Sequence, residues 1–398
     1  MATKLYFSRD TKVYAHVPDT GTSGTLSMYY ELPVLDGFSF SQAMNTSEIT
    51  LNEAQSVAGN SRRGRAMFND SFAPVEWSFS TYMMPFTHDE SATSGTIGTT
   101  GAAHGTDNTH CEVSSALWAM FFGQTVDAGL TEGTSNLLIA QGNANKATVG
   151  VFDLYFILGA SQASTAYSYA PGATVDKQMI YKISDCSISE ASFDFDLDGI
   201  ATVNWSGNGK IISENDSALN LSSSTALVTE GVTNTTGFIR NRVSDLTIVG
   251  DPGDISDVTY TTTLTGGNIT MSNNLSYLTP ETLGVVNQPL GHVTGSKSIG
   301  GNFTCYLDSA GATSSAELYE DLVEATTDIK NEFSLTFDIG ASTAPYCSIT
   351  MPTCHLEVPT HSIEEVISME TNFHALPSDF DSTNEISEFK FVGKDVNA

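Results

Sequence analysis

The chain has 398 residues, enough for two domains each with its own core, and carries 46 acidic against 16 basic residues, a formal net charge of −30. Binding DNA requires cations that displace its counterions, so this balance argues against groove-reading recognition of nucleic acid while leaving passage of DNA alongside the protein open. Hydrophobic residues make up 40% and charged residues 16%, so Ser, Thr, Asn and Gly must cover much of the surface, a common composition for all-β proteins.

In chain order, the opening Met1–Ser8 has no apolar run of signal-peptide length, and a soluble chain is expected. Phe38 and Phe40, then Ile49 and Leu51, alternate with polar residues as half-buried strands do. A long loop follows with Arg62, Arg63 and Arg65, three of the few basic residues of the chain within four positions. It reads either as a solvated loop or as a projection that meets an acidic surface on a neighbouring subunit. Trp77, Phe79 and Thr81 resume the alternation, and a Gly/Thr/Ser-rich segment at 89–108 reads as an exposed insertion. Residues 114–122 then place Leu117, Trp118, Phe121 and Phe122 at helical spacing; the apolar run 116–122 is too short to span a membrane.

The clearest hairpin covers 186–206. Phe193, Phe195 and Leu197 share one face, Asp194 and Asp196 the other, and Asp198-Gly199 is expected to form a tight two-residue turn before Ala201, Val203 and Trp205. The Ser/Thr/Asn-rich stretch 213–236 reads as a linker. Beyond it, a loop at 274–298 carries His292 and Lys297. Ser314 with Glu317 has capping-box spacing ahead of Leu318, Leu322, Val323 and Ala325 at helical spacing.

Short phrases recur in the same order. Residues 38–41 (FSFS) return at 269–272 (ITMS), 78–82 (SFSTY) at 302–306 (NFTCY), and 114–118 (SSALW) at 315–319 (SAELY). Residues 152–161 (FDLYFILGAS) return at 333–342 (FSLTFDIGAS), and Asn204-Trp205 as Asn372-Phe373. The offset shrinks steadily, as it does when a second copy has shorter loops. The expected organisation is a first domain at 1–212, a linker at 213–236 and a shorter second domain at 237–398. Each is a β-sandwich or barrel with one flanking α-helix.

No catalytic signature is present: there is no GxxxxGK[ST], GxSxG or HExxH. Residues 194–199 (DFDLDG) open like a calcium loop, but the twelfth position is Trp205 where a bidentate carboxylate is needed, and the hairpin explains every residue without metal. His104, His110 and Cys111, and again Cys354, His355 and His361, lack zinc-ligand spacing. The five widely spaced cysteines read as reduced thiols, mostly buried. No catalytic residue, metal or cofactor is expected.

Residues 32–41 (LPVLDGFSFS), 45–53 (NTSEITLNE), 73–82 (APVEWSFSTY), 196–207 (DLDGIATVNWSG) and 351–361 (MPTCHLEVPTH) resemble the major tail tube proteins of long-tailed bacteriophages. The resemblance implies an all-β fold, rings of six tube domains, and stacking of rings into the tail tube, the conduit for double-stranded DNA. It implies that partners are further copies of the chain, the tape-measure protein in the lumen, sheath, tail terminator and baseplate proteins, and passing DNA that is not specifically bound. No membrane is involved. The place is the virion tail, assembled in the host bacterial cytoplasm.

Because family members mostly supply one domain per chain, two copies imply a homotrimer imitating a hexamer. The family's inter-ring loop falls on 45–72, so Arg62, Arg63 and Arg65, with Lys297 from the second loop, are candidate ring-to-ring contacts. Asp194 and Asp196 are candidate lumen acids, and Leu117, Trp118, Phe121, Leu318, Tyr319 and Leu322 pack the helices. The alternative is a carbohydrate- or receptor-binding β-sandwich of a tail fibre. That reading needs an exposed aromatic platform, whereas Trp77, Trp118 and Trp205 lie on apolar faces.

Overall fold

The computed structural model describes residues 6–17, 28–49, 65–83, 113–124, 130–132, 136–139, 149–159, 166–167, 178–196, 198–215, 219–220, 227–228, 238–250, 258–283, 285–309, 311, 313–324, 332–340, 345–379 and 382–392. The Gly/Thr-rich insertion, Arg62, Arg63, His104, His110, Cys111 and most of the expected linker lie outside the described residues.

Strands dominate, as the alternating pattern requires. The first are β1 (Lys12–Val17), β2 (Met28–Leu32), β3 (Ser39–Ile49) and β4 (Ala66–Tyr82), followed by helix α1 (Val113–Phe121). Then come β5 (Leu130–Glu132), β6 (Asn136–Ile139), β7 (Phe152–Leu158), β8 (Ala166–Tyr167), β9 (Met179–Phe195), β10 (Thr202–Gly209) and β11 (Ile211–Glu214). The short β12 (Leu219–Asn220) and β13 (Leu227–Val228) precede β14 (Asp245–Gly250), β15 (Val258–Thr261), β16 (Leu264–Ser272), β17 (Leu275–Leu278), β18 (Gly291–Thr294) and β19 (Ser298–Tyr306). Helix α2 (Ser315–Glu324) leads to β20 (Phe333–Ile339), β21 (Tyr346–Leu356), β22 (Thr360–Ile363), β23 (Ile367–Ala375) and β24 (Glu388–Val392).

One antiparallel sheet runs through both halves of the chain in the order β3–β4–β10–β9–β16–β19–β23–β21, with β22 continuing the β21 edge. Two further sheets back it. One is β2–β1–β7–β9–β11, with β13 parallel beside β2. The other is β15–β14–β20–β21–β24, extended by β6 and β5 from the first half. The long strands β9 and β21 each belong to two sheets. On β9 the change of sheet falls at Asp185, whose φ of 51° is tolerated by a short polar side chain. Each half therefore has the same order of strands.

The core lies between the layers. On β4, Val75, Trp77, Phe79 and Thr81 are buried; on β10, Val203 and Trp205; on β9, Ala191, Phe193 and Phe195. Helix α1 caps this core. Its Trp118 ring stacks on Phe193 at 5.3 Å and meets Trp205 at 4.5 Å and Phe389 of the second half at 4.7 Å. Phe195 likewise stacks on Phe337 at 5.9 Å, so the halves share aromatic packing.

Helix α2 starts as its capping residues dictate: the Glu317 amide donates to Ser314 Oγ at 3.4 Å and the Leu318 amide to the Ser314 carbonyl at 3.1 Å. Leu117, Trp118, Phe121, Leu318 and Leu322 are buried, and Tyr319 packs at the core's edge with its ring 4.6 Å from His361.

Three expectations need correction. The hairpin turn is not a two-residue turn at Asp198-Gly199, because β9 ends at Phe195 and β10 begins at Thr202. The 238–244 segment holds the tip open: the Ala201 amide donates to Ile239 O at 2.9 Å, and Ile200 bridges to Arg240. Ser213 and Glu214, placed in the linker, form part of β11 beside β9. Finally, with Cys186 matched to Cys354 the ladders align Phe79, opposite Trp205, with Phe303, opposite Thr371, as the phrases 78–82 and 302–306 do, but they match Trp205 with Thr371 and Phe40 with Ile269, two residues from the other two sequence matches. A slip of two keeps the same face inward, which is why those phrases looked right.

Candidate functional site

The long sheet has one face on the core and one face toward solvent. Its outer face is set by the residues between the buried ones: Ser78 and Ser80, Asn204 and Ser206, Ser192 and Asp194, Asn268 and Thr270, Asn302 and Thr304, Asn372 and His374. These side chains bond to one another across the strands. Ser39 Oγ lies 2.9 Å from Ser78 Oγ, Ser80 Oγ donates to Asn204 Oδ1 at 2.7 Å, and Asn204 Nδ2 donates to Asp194 Oδ2 at 3.1 Å. In the second half Asn302 Nδ2 donates to Glu370 Oε1 at 2.7 Å and Asn372 Nδ2 to Glu357 Oε2 at 2.8 Å.

Glu76, Glu190, Asp194, Glu357 and Glu370 stand exposed on this face, and no residue of strands β3, β10, β16, β19, β22 or β23 is Lys or Arg. Hydrogen bonds from Asn372 and His374 hold the Glu357 carboxyl below the usual carboxylate range. The result is a broad, hydrogen-bonded, net-acidic wall across which a polyanion can move without releasing counterions. Asp194 is part of it. Asp196 is exposed just past the end of β9.

At one end of this sheet two arms project. The first is the outer part of the β3–β4 hairpin, where Met44, Ile49, Met67 and Phe68 are exposed. The second is the β17–β18 hairpin with its connecting loop, carrying exposed Leu278, Leu283, Val285, Val286, Leu290 and Val293. The second arm crosses beneath the first half: Tyr277 OH donates to Asp185 O at 2.9 Å and Asn208 O at 3.1 Å, and the Phe72 amide donates to Asn287 O at 2.8 Å. Burial pushes the Tyr277 hydroxyl well above its ordinary pKa, so it stays a donor. The opposite end of the sheet carries the turns with Asp196 and Asp198 and with Glu364 and Glu365.

Arg65 forms a two-pronged ion pair with Glu48 across the first arm. Lys297 sits at the base of the second arm with its ammonium 4.5 Å from the Phe122 ring centroid, facing the end of α1. Cys354 points into the core while His355 points out, so strand alternation separates them. Among the described residues no group of three or more His, Cys, Asp or Glu is placed to hold a metal ion. Trp77, Trp118 and Trp205 are all buried, which removes them as a carbohydrate platform. The apolar second arm escaped the sequence pattern, in which only His292 and Lys297 of 274–298 were singled out; the six large apolar residues between 278 and 293 were the available signal.

The sequence has counterparts among known proteins. Residues 90–375 match the family described as phage tail tube protein. The chain belongs to the phage tail tube family. It is also 28% identical over 391 residues to the tail tube protein pb6 of Escherichia phage T5, an alignment covering 96% of this chain and 75% of that protein. As a tail tube protein it is a structural component of the virion tail that self-assembles into a tube.

Proposed function

We propose that three copies of this chain close into a ring of six tube units, that rings stack into the tail tube, and that the polar face of the long sheet lines its lumen. The observation that carries this reading is the β9–β16 ladder, which joins the two halves into one continuous wall. The repeated strand order supports a duplicated tube domain, and the acidic face suits a channel that first holds a tape-measure protein and then passes double-stranded DNA. Repulsion from such a wall stays short-ranged, because salt screens it within about 10 Å.

The two arms project from one end of each ring and meet the acidic turns at the opposite end of the next. Asp194 is a lumen acid in this arrangement, and Arg65, with Arg62 and Arg63, belongs to the ring-to-ring contact. Terminator, baseplate and sheath proteins engage the ends and outer surface, with assembly in the host bacterial cytoplasm. The test is negative-stain microscopy of the concentrated protein with and without tail-initiation proteins. Stacked rings with a central channel are expected, and monomers under both conditions would contradict the proposal.

A further inference from the structure

The segment that leads into the second half is built a second time at the start of the chain. With Cys186 matched to Cys354, Phe156 matches Phe337, and their partners Val13 and Leu246 match in turn. Residues 6–11 are therefore the counterparts of 239–244. Both segments hold one 3-10 turn, Ser8–Asp10 and Asn241–Val243, preceded by an extended residue: Phe7 has φ −114° and ψ 143°, Arg240 φ −101° and ψ 128°. Each turn closes on the same bond, the Thr11 amide to Ser8 O and the Ser244 amide to Asn241 O, both at 2.9 Å. Arginine stands at the same place in each, as Arg9 and Arg242.

The later segment has a seat within the chain. It closes the β9–β10 tip of the first half: the Ala201 amide donates to Ile239 O at 2.9 Å, Ile200 bridges to Arg240, and Arg242 lies 3.5 Å from Asp198. The matching tip of the second half is β22–β23. Phe193, opposite Val203, matches His361, opposite Met369, so Ile200 and Ala201 match Val366 and Ile367, and Asp198 matches Glu364. This turn is shorter, but its base is aimed alike, because the Leu307 amide donates to Ile367 O at 2.9 Å as the Met83 amide does to Ala201 O at 2.8 Å. The N–H and C=O of one strand residue point to the same side, so the Ile367 amide points where the Ala201 amide meets Ile239. Here the seat is uncovered: Ile363 is 80% and Ile367 39% exposed, against 4% for Phe195 and 2% for Ala201. Tyr306 is likewise exposed, whereas its counterpart Tyr82 meets the Phe238 ring edge-on at 5.3 Å.

The early segment carries the complementary chemistry. Tyr6 and Phe7 stand exposed where Ile239 is buried, and Arg9 follows them, while the open tip carries Glu364 and Glu365 beside its exposed apolar residues. Two such surfaces on one chain fit head-to-tail contact between copies, which closes into a ring. We infer that residues 6–10 of one chain close the β22–β23 tip of its neighbour in the ring, as 238–244 closes the β9–β10 tip within a chain. The Ile367 amide donates to Tyr6 O of the neighbouring chain, and Tyr6 and Phe7 cover Ile363 and Val366. Arg9, 3.8 Å from Asp10 in its own exposed turn, pairs instead with Glu364. This rests on the ring reading above and adds which segment each chain lends to the next.

The experiment is cross-linking of assembled tubes with a short bis-maleimide, read on denaturing gels beside the parent chain. Two variants are used, Phe7→Cys/Val366→Cys and Arg9→Cys/Glu364→Cys, the second keeping the apolar contacts intact. Both should give chain dimers and trimers in tubes, in a ladder that stops at three, and none in dilute monomer. Phe7→Cys/Ile200→Cys, aimed at the tip already closed, should give roughly tenfold less, since only a held pair reacts at high effective concentration. Tubes of normal appearance in which neither of the first two variants cross-links would overturn the inference and leave the ring reading standing. Equal cross-linking at 7/200 would overturn the choice of tip. A ladder running on past three without a stop would overturn the neighbour in the ring, and a stop at six would keep the contact but overturn the three-chain ring.

Discussion

Cys186 and Cys354 occupy matching positions in the two halves. Cys186 lies opposite Phe152 and Cys354 opposite Phe333, each beside a bulge that shifts the register before Leu154 or Leu335. Each thiol turns back to a carbonyl three residues earlier, Cys186 Sγ to Ile183 O at 3.4 Å and Cys354 Sγ to Met351 O at 3.9 Å. Two bulges with the same residue in the same place are hard to attribute to chance pairing, since bulges are specific local features of a sheet.

Thiol chemistry follows from that burial. Cys186, Cys305, Cys347 and Cys354 are all buried, and burial pushes the Cys305 and Cys354 thiols up to about 12. These four should stay unreactive toward a disulfide reagent at neutral pH in the native chain, leaving Cys111 as the most that reacts. All five should react in denaturant. Rapid labelling of more than one thiol in the folded protein would contradict this packing.

The aromatic centre of the first half depends on one buried hydrogen bond. Trp205 Nε1 donates to Thr81 Oγ1 at 3.0 Å, with both residues about 1% exposed. Thr81→Val keeps the shape and orphans the indole N–H, so a loss of roughly 1–3 kcal/mol is expected. Denaturant unfolding of the monomer measures it, and an unchanged midpoint would show that the bond carries no net stability.

Acid sensitivity is expected from Asp153. Burial opposes its ionisation, but the His16 ring 3.5 Å away and the Lys182 ammonium 2.7 Å away outweigh it and hold the carboxyl below the usual carboxylate range. The unfolded chain then binds this proton more tightly than the folded one, so the stabilisation is complete above about pH 4 and is lost as pH falls through the lower folded value. Asp153→Asn should be less stable at neutral pH and should lose less on acidification than the parent. A parallel acid limb for both proteins would assign the sensitivity elsewhere.

Charge reversal of Arg62, Arg63 and Arg65 together should block tube formation while leaving the far-UV CD spectrum of the monomer unchanged. The ion pair of Arg65 with Glu48 is exposed and contributes little to the fold, so the monomer should tolerate its loss. Microscopy of the triple variant decides it; tubes of normal yield would remove the loop from the ring-to-ring contact.

Much of this architecture was legible in the residues. Alternation at Trp77, Phe79 and Thr81 and again at Val203 and Trp205 fixed which faces were inward, and Ser314 with Glu317 marked the start of α2. What lay out of reach was pairing between distant edges. The β9–β16 ladder joins Ser192 to Thr270 and Asp194 to Asn268 through backbone groups that every sequence carries, so no residue type announces it. The turn at Asp198-Gly199 misled because its opening comes from Ile239 and Arg240, tertiary neighbours that a local pattern cannot contain. The second arm was read for His292 and Lys297, yet His292 meets Ser187 at 3.3 Å and Lys297 meets Phe122, while the apolar side chains between β17 and β18 are the exposed ones.

The symmetry of the assembled tube tests the central claim most directly. A cryo-EM map of the tube, refined without imposed symmetry, should show three chains per ring, six similar tube units and a lumen lined by β3, β4, β10, β9 and their second-half counterparts. A map with six whole chains per ring, or with the Asp194 face turned outward from the channel, would contradict it.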